Sequence, residues 1–157
     1  MDAFKLDRVL FATDFSPNCE SAFRYATALA QRFNARLYVL HVLPAAETEP
    51  SEESSGRDVA IAERGTISAM RRLRKALLAR HDDYMMAAIP GQQPSRRIIE
   101  KARQLGVDLI VLGAHHGAPP PLAHDVVREV CEASPCPVIC VPYLPKTNSY
   151  EGDYLRE

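Results

Sequence analysis

The chain has 157 residues, of which 46% are hydrophobic and 25% are charged, and its formal net charge at pH 7 is -1. This length suits one domain with a buried core, and the balanced charge gives no general attraction for nucleic acid or for a membrane surface. The first residues lack a signal-peptide pattern, and no apolar run approaches the roughly twenty residues that cross a bilayer. We therefore expect a cytoplasmic protein.

The expected location also decides how the cysteines are interpreted. The sequence contains Cys19, Cys131, Cys136 and Cys140, and in a reducing compartment they remain thiols. Their spacing contains no Cys-x-x-Cys pair, which argues against a zinc knuckle or a thioredoxin-type centre. We expect buried thiols that pack as small hydrophobic groups.

The chain opens with the pattern of a strand, a helix and a second strand. An apolar run predicts the first strand over residues 7–12. Ser16 directly before Pro17 is a helix-start pattern, and apolar residues at three- and four-residue steps predict a helix that ends near Asn34. The next apolar run predicts the second strand over residues 36–44.

The middle of the chain begins with an acidic, serine-rich segment, residues 45–58, which we expect to be a mobile loop. A helical pattern follows over residues 59–80, although Gly65 lies inside it. A third strand is predicted over residues 83–91. The next helix begins near Pro94 and Ser95 and closes at Gly106, a residue well suited to a helix C-cap.

The last part of the chain contains the clearest strand, residues 107–113, then a short helix over residues 125–134 and a fifth strand over residues 136–143. We expect one domain over residues 1–145, followed by a polar tail at 146–157.

The order and character of these elements predict the fold class. Strands and helices alternate, and the strands are apolar throughout, which is typical of parallel strands covered on both faces. With right-handed crossovers this is an α/β fold, an open doubly wound five-stranded parallel sheet with helices on both faces. Ligands bind such sheets beyond the carboxyl ends of the strands, where the strand order reverses.

The unusual residues fall at that edge. Thr13 and Asp14 follow the first strand, Val42 lies near the end of the second, and Gly113 ends the fourth. The last loop leads into a helix at Asp125, whose free backbone N–H groups would suit an anion. The sequence therefore predicts a binding crevice at this edge.

Three segments, in the right order, resemble the universal stress proteins. The stretch from "RVLFATDFS" to "RLYVLHV" looks like their opening strand-helix-strand unit, "VDLIVLGAHHG" like their fourth strand and loop, and "VVREVCEASPCPVICV" like their closing helix and strand. The resemblance covers nearly the whole chain and implies a Rossmann-like, adenine nucleotide alpha hydrolase-like fold.

Some members of this family bind ATP and others do not. Binders carry Gly, two residues, Gly, nine residues, Gly and then Ser or Thr, because glycines let backbone amides approach the phosphates. Gly113 matches the first glycine, and His115 matches a position that the family often fills with histidine. His116 replaces the second glycine, and Gly117 substitutes for it only if the loop shifts by one residue.

The closing part of the pattern departs further. His124 and Asp125 occupy the place of the closing Gly-Ser, ahead of Val126, and the three prolines at 119–121 cannot donate N–H bonds. The imidazole fills space that a phosphate would use, and the carboxylate repels phosphates. A bridging Mg²⁺ or a protonated histidine would soften these effects. We expect a degraded loop that does not hold ATP tightly in the family's usual way.

The adenosine side looks better preserved. The resemblance implies that Asp14 meets the adenine and that the backbone of Val42 reaches the same base, beside Thr13. Ala12 stands where binders often have proline. The alternative is that Asp14 only caps the turn or the first helix, as aspartate does readily.

A metal site is another interpretation of the same loop. Three imidazoles and a carboxylate, from His115, His116, His124 and Asp125, are a plausible zinc set. Nothing in the sequence fixes their geometry, and exposed loop histidines are the simpler alternative. No set of nucleophile, base and orienting group is apparent, so we expect at most slow ATP hydrolysis.

The last strand, Pro137 to Val141, would lie at an edge and expose unpaired backbone groups. The resemblance implies a homodimer across this strand, and the alternative is that the tail covers it. Our leading hypothesis is a dimeric stress-response protein that binds partners or ligands without turnover. The second is an adenine-nucleotide sensor that binds ATP, ADP or AMP through a rearranged loop, which AMP or adenosine suits better than ATP. The third is a metal-binding variant that uses the loop histidines.

Overall fold

A computed structural model describes residues 5–44, 56–114 and 124–143. Its strands are β1 (Arg8–Ala12), β2 (Arg36–Pro44), β3 (Tyr84–Gly91), β4 (Leu109–Ala114) and β5 (Val138–Pro142). Its helices are α1 (Asn18–Phe33), α2 (Gly56–Leu78), α3 (Pro94–Leu105) and α4 (His124–Ala133). Every strand pair is parallel and the strand order is β3-β2-β1-β4-β5. The predicted fold class is confirmed.

The central strand determines where a ligand site can form. β1 pairs with β2 on one side and with β4 on the other, so that Ala12 is level with Leu40 and Leu112. The chain runs outward from β1 through β2 to β3, and then crosses to build β4 and β5 on the opposite side. The strand order therefore reverses between β1 and β4, and their carboxyl ends meet at that point.

Each face of the sheet has its own hydrophobic core. Alternate residues of a strand point to opposite faces, and Phe11 accordingly packs with Phe23 of α1 and Leu77 of α2. Its neighbour Leu10 packs with Ile98 of α3 and Val130 of α4 on the other face. Burial on both faces explains why the central strands are apolar throughout.

Most predicted element boundaries agree with the structure to within a few residues. The helix-start prediction at Ser16 is displaced, because α1 begins at Asn18 and its N-cap position, Pro17, makes no side-chain capping bond. The third strand and the α3 boundaries agree closely, and Gly106 closes α3 in the left-handed conformation at φ 58°. Gly65 does not interrupt α2.

The predicted loop over residues 45–58 needs a correction. Helix α2 already begins at Gly56, so the last three residues of that segment are helical. The acidic composition that suggested a loop gives no apolar face by which to detect the first helical turn. Residues 45–55 and the tail at 146–157 lie outside the described residues.

The expectation of uniformly buried cysteines is wrong. Cys19 is buried and Cys136 is half-buried, but Cys131 and Cys140 are exposed. The reason is topological: β5 is an edge strand, and Cys131 of α4 lies against Cys140 at this open edge. An apolar run in a sequence does not reveal whether its strand has neighbours on both sides.

Among the described helices, none is both long enough and apolar enough to cross a membrane.

Candidate functional site

The turn after β1 is held by its own side chains. The Phe15 N–H donates to Thr13 Oγ1 at 2.9 Å, and the Ser16 N–H donates to Asp14 Oδ1 at 2.8 Å. These two local bonds satisfy backbone donors that leave the strand before α1 begins. They also hold Phe15 at φ 61°, a left-handed conformation that is uncommon for a bulky residue.

Asp14 has a structural role in this turn. Besides the Ser16 N–H, its Oδ1 accepts a bond from the Cys19 thiol at 3.1 Å. Burial raises the pKa of the Cys19 thiol, which keeps the thiol protonated and able to donate. The turn-forming role that the sequence suggested is therefore present. The side chain is also exposed at the carboxyl edge of the sheet, so a role toward a ligand is sterically open.

A side chain of the neighbouring strand β2 also holds the turn after β1. His41 of β2 is buried, and its Nδ1 lies 2.8 Å from the Thr13 carbonyl oxygen. A carbonyl oxygen only accepts, so Nδ1 donates this bond. The imidazole also packs against the Phe15 ring, with 4.5 Å between ring centroids. Neither His41 nor Phe15 was predicted from the sequence. The available indication was the polar His41 inside an otherwise apolar strand, because a buried polar side chain needs a hydrogen-bond partner.

The end of β3 holds a further residue that was not predicted from the sequence. Gly91 ends β3, and a Cβ placed there would come within 2.5 Å of Arg97 Cγ and 3.2 Å of Val42 Cγ1. The absence of a side chain at Gly91 therefore makes room for the arginine stem beside Val42. Arg97 pairs with Glu100 at 3.0 Å, while its Nε is buried and has no hydrogen-bond partner among the described residues.

A shallow cavity of about 390 Å³ lies at this place. It is lined by Gln92, Gln93, Arg96, Arg97 and Glu100. Amides and guanidinium groups supply the donors, and the single carboxylate is already paired with both arginines. The carboxyl edge of β3 and the start of α3 therefore present a donor-rich surface next to the end of β2.

The residues that the sequence analysis assigned to a phosphate loop are only partly within the described residues. Gly113 is buried in β4, where it pairs with Val141, and Ala12 is likewise buried in β1, level with Leu112. His124 and Asp125 form the first residues of α4, and the side chain of Val126 packs into the core on the α3–α4 face. A ligand contact by Val126 would therefore use its backbone.

The remaining loop residues, His115, His116 and Gly117, lie outside the described residues. Within the described parts of the chain, no three His, Cys, Asp or Glu side chains are grouped as a metal site requires. The metal hypothesis, which rests on the loop histidines and on the side chains at 124 and 125, stays a prediction.

The sheet topology and the turn at the carboxyl end of β1 together define a class of α/β protein. A parallel doubly wound sheet, with a hydrogen-bonded turn after β1 at the point where the strand order reverses, is the arrangement in which α/β proteins bind nucleotides and similar ligands. The family model described as the universal stress protein family matches residues 5–142. The chain belongs to the universal stress protein family.

Solved structures agree with this assignment. The universal stress protein UspA from Lactobacillus plantarum is 25% identical, with a TM-score of 0.76, over 88% of this chain and 99% of that chain. A universal stress protein from Archaeoglobus fulgidus in complex with dAMP is 22% identical, with a TM-score of 0.61, over 88% and 99%. A universal stress protein in complex with cAMP is 18% identical, with a TM-score of 0.64, over 88% and 98%. The last two are similar to this chain in fold.

Proposed function

We propose that this protein is a cytoplasmic stress-response protein that works as a homodimeric binding and regulatory module and not by turnover. We further propose that its switch-point crevice takes an adenosine monophosphate in preference to ATP. The chain then forms a single domain over residues 1–145.

The proposal rests mainly on the turn at the end of β1, which is held in place by side-chain hydrogen bonds. Asp14 lies where the strand order reverses, its side chain is held by two hydrogen bonds, and His41 holds the preceding carbonyl from the neighbouring strand. Preorganised polar groups lose little entropy on binding, which favours recognition of a small rigid ligand such as a nucleoside. Two structures of similar fold, named as complexes with dAMP and cAMP, support the monophosphate class.

The preference against ATP rests on the other half of the crevice. The family's phosphate pattern is interrupted at His116, and His124-Asp125 replaces its closing Gly-Ser at the start of α4. A carboxylate beside a terminal phosphate costs about 1 kcal/mol in water and several times more in a partly dry cleft. One phosphate close to the ribose avoids most of this repulsion, so a monophosphate suits the site better than a triphosphate.

A thermal-shift series with AMP, cAMP and ATP plus Mg²⁺, followed by calorimetry, tests whether the site prefers a monophosphate to ATP. At a concentration near 100 times its Kd, AMP should stabilise the fold by about 2.7 kcal/mol, which raises Tm by about 5–10 °C in a domain of this size. ATP with Mg²⁺ should bind at least tenfold more weakly.

Inorganic phosphate and GMP are the matched ligand controls, and neither should reproduce the AMP shift. Tighter binding of ATP than of AMP would overturn the proposed preference. If no nucleotide stabilises the protein, the nucleotide part of the proposal is wrong and a binding module without nucleotide remains. Stabilisation by zinc alone would instead support the metal-binding alternative.

The dimer proposal rests on the exposed edge of β5. Ile139 is 37% exposed there although it is a large apolar residue, and the outer side of the strand has no described neighbour in the sheet. Edge strands with open backbone groups pair readily with a second copy. We therefore place the homodimer interface along Pro137 to Val141.

A charge on this edge is expected to prevent dimerisation. The wild-type chain should sediment at twice the 17.4 kDa of one chain, and Ile139→Lys should sediment as a monomer. Met85→Lys is the matched control, because Met85 is 55% exposed on the opposite edge strand, β3. A dimer that survives Ile139→Lys but dissociates with Met85→Lys would place the interface on β3 instead.

A further inference from the structure

Two exposed thiols lie next to each other at one end of the sheet. Cys131 is on α4 and Cys140 is on β5, and their sulfur atoms are 3.6 Å apart. Side chains alternate along β5, so that Val138 packs on the α3–α4 face while Val141 packs on the α1 face. Cys140 shares the face of Val138, which explains how it meets a helix residue nine positions earlier in the chain.

We propose that Cys131 and Cys140 are a modification site for hydroperoxides, at which the two thiols close reversibly into an intramolecular disulfide. Closing the bond requires the sulfur atoms to approach by about 1.5 Å, to the usual separation near 2.05 Å. Side chains at an exposed edge can make such a movement without displacing the core. Cytoplasmic disulfides, where they occur, are typically transient and redox-sensing.

The chemistry balances with one molecule of hydrogen peroxide, and with an organic hydroperoxide an alcohol takes the place of the first water. A thiolate attacks one peroxide oxygen, the O–O bond breaks, and the sulfur becomes a sulfenic acid as hydroxide leaves and takes up a proton as water. The second thiol then attacks that sulfur, the S–S bond forms, and a second water leaves with the thiol proton. Two thiols are oxidised by two electrons, and one peroxide is reduced to two waters.

The surroundings of the thiols assign the two roles. Partial desolvation of the Cys140 sulfur, with the hydrogen bond to Cys131 as the next cause, raises the pKa of Cys140 to about 11, so Cys140 stays protonated near neutral pH. The thiolate is the attacking species, and the raised pKa disfavours it at Cys140, so we assign Cys140 as the resolving thiol and its neighbour Cys131 as the residue oxidised first. Cys19 is buried against Asp14 and Cys136 is half-buried beside Ser134, so neither has a second thiol within reach in the described residues.

The disulfide would connect the two elements that the proposed function assigns to ligand binding and to dimerisation. Helix α4 begins with His124 at the phosphate side of the crevice, and β5 is the edge at which we place the dimer. A disulfide between them would fix the helix relative to the strand. The site itself requires neither a nucleotide nor a dimer.

Hydrogen peroxide titration of the reduced protein tests the proposal. After stoichiometric peroxide, the intact mass should fall by about 2 Da, because two thiol hydrogens leave. Peptide mapping after alkylation should recover Cys131 linked to Cys140, with Cys19 and Cys136 alkylated. A reductant should restore the original mass and all four free thiols.

Cys131→Ser and Cys140→Ser should each abolish the 2 Da loss, and Cys136→Ser, the matched control, should retain it. In Cys140→Ser the sulfenic acid should persist on Cys131 and be trapped by dimedone. If dimedone trapped a sulfenic acid on Cys140 in the Cys131→Ser variant, and none in the Cys140→Ser variant, the assigned roles of the two cysteines would be reversed. A wild-type product carrying only sulfinic acids, a disulfide between two chains, or four unmodified thiols would overturn the proposal.

Discussion

The Asp14→Ala variant is expected to lose about 1–2 kcal/mol of unfolding free energy, because removing a turn-capping acceptor has a cost of that size. The Ser16 N–H and the Cys19 thiol would both lose their acceptor. If Asp14 also meets the base of a bound nucleotide, AMP affinity should fall by about 10- to 100-fold, as for a lost hydrogen bond to a charged group.

Asp14→Asn separates the two roles of this side chain. The amide keeps an acceptor for the turn, so stability should change by less than about 0.5 kcal/mol. The second carboxylate oxygen becomes an NH₂ donor, which opposes the amino group of adenine. Urea unfolding and calorimetry with AMP measure the two effects separately. An Asp14→Asn protein that binds AMP as tightly as the wild type would leave Asp14 with a structural role alone.

The Phe11→Ala variant is expected to show the largest loss of stability, about 3–5 kcal/mol, because the cost of deleting a buried aromatic includes the cavity left behind. Phe11 is fully buried in the central strand between Val39 and Val111, and its ring centroid lies 5.9 Å from that of Phe23. A domain of ordinary stability has about 5–15 kcal/mol in total, so this variant should be near the limit of folding.

Urea denaturation followed by circular dichroism measures this loss. Tyr25→Ala is the matched control, because Tyr25 is an aromatic residue of α1 that is 50% exposed, and it should change stability by less than about 0.5 kcal/mol. A Phe11→Ala loss below that of Tyr25→Ala would mean that the packing on the α1 face is not as described.

The fold class could be predicted from the sequence because the apolar pattern of the strands differs clearly from that of the helices. β1 and β4 are buried on both faces, so their unbroken apolar runs identified them without knowledge of their partners. Which strands lie at the edges depends on contacts between residues far apart in the chain. The exposed thiols at Cys131 and Cys140 were therefore expected, wrongly, to be buried.

The candidate site was predicted in part for a similar reason. Asp14, Val42 and Gly113 could be selected because each lies at or just beyond the end of a recognisable strand. His41 and Arg97 could not, since the first looked like one polar residue in a core strand and the second like part of a solvated helix face. Their roles depend on a turn and on a glycine that only the folded chain brings to them.

The contact between Gly91 and Arg97 links two positions that are six residues apart in the chain. A methyl group at position 91 would overlap the base of the arginine side chain and force it into another rotamer. A long side chain at position 97 can therefore occupy this place only while position 91 is glycine. Transplanting Arg97 into a related scaffold with a larger residue at position 91 would therefore not reproduce the surface.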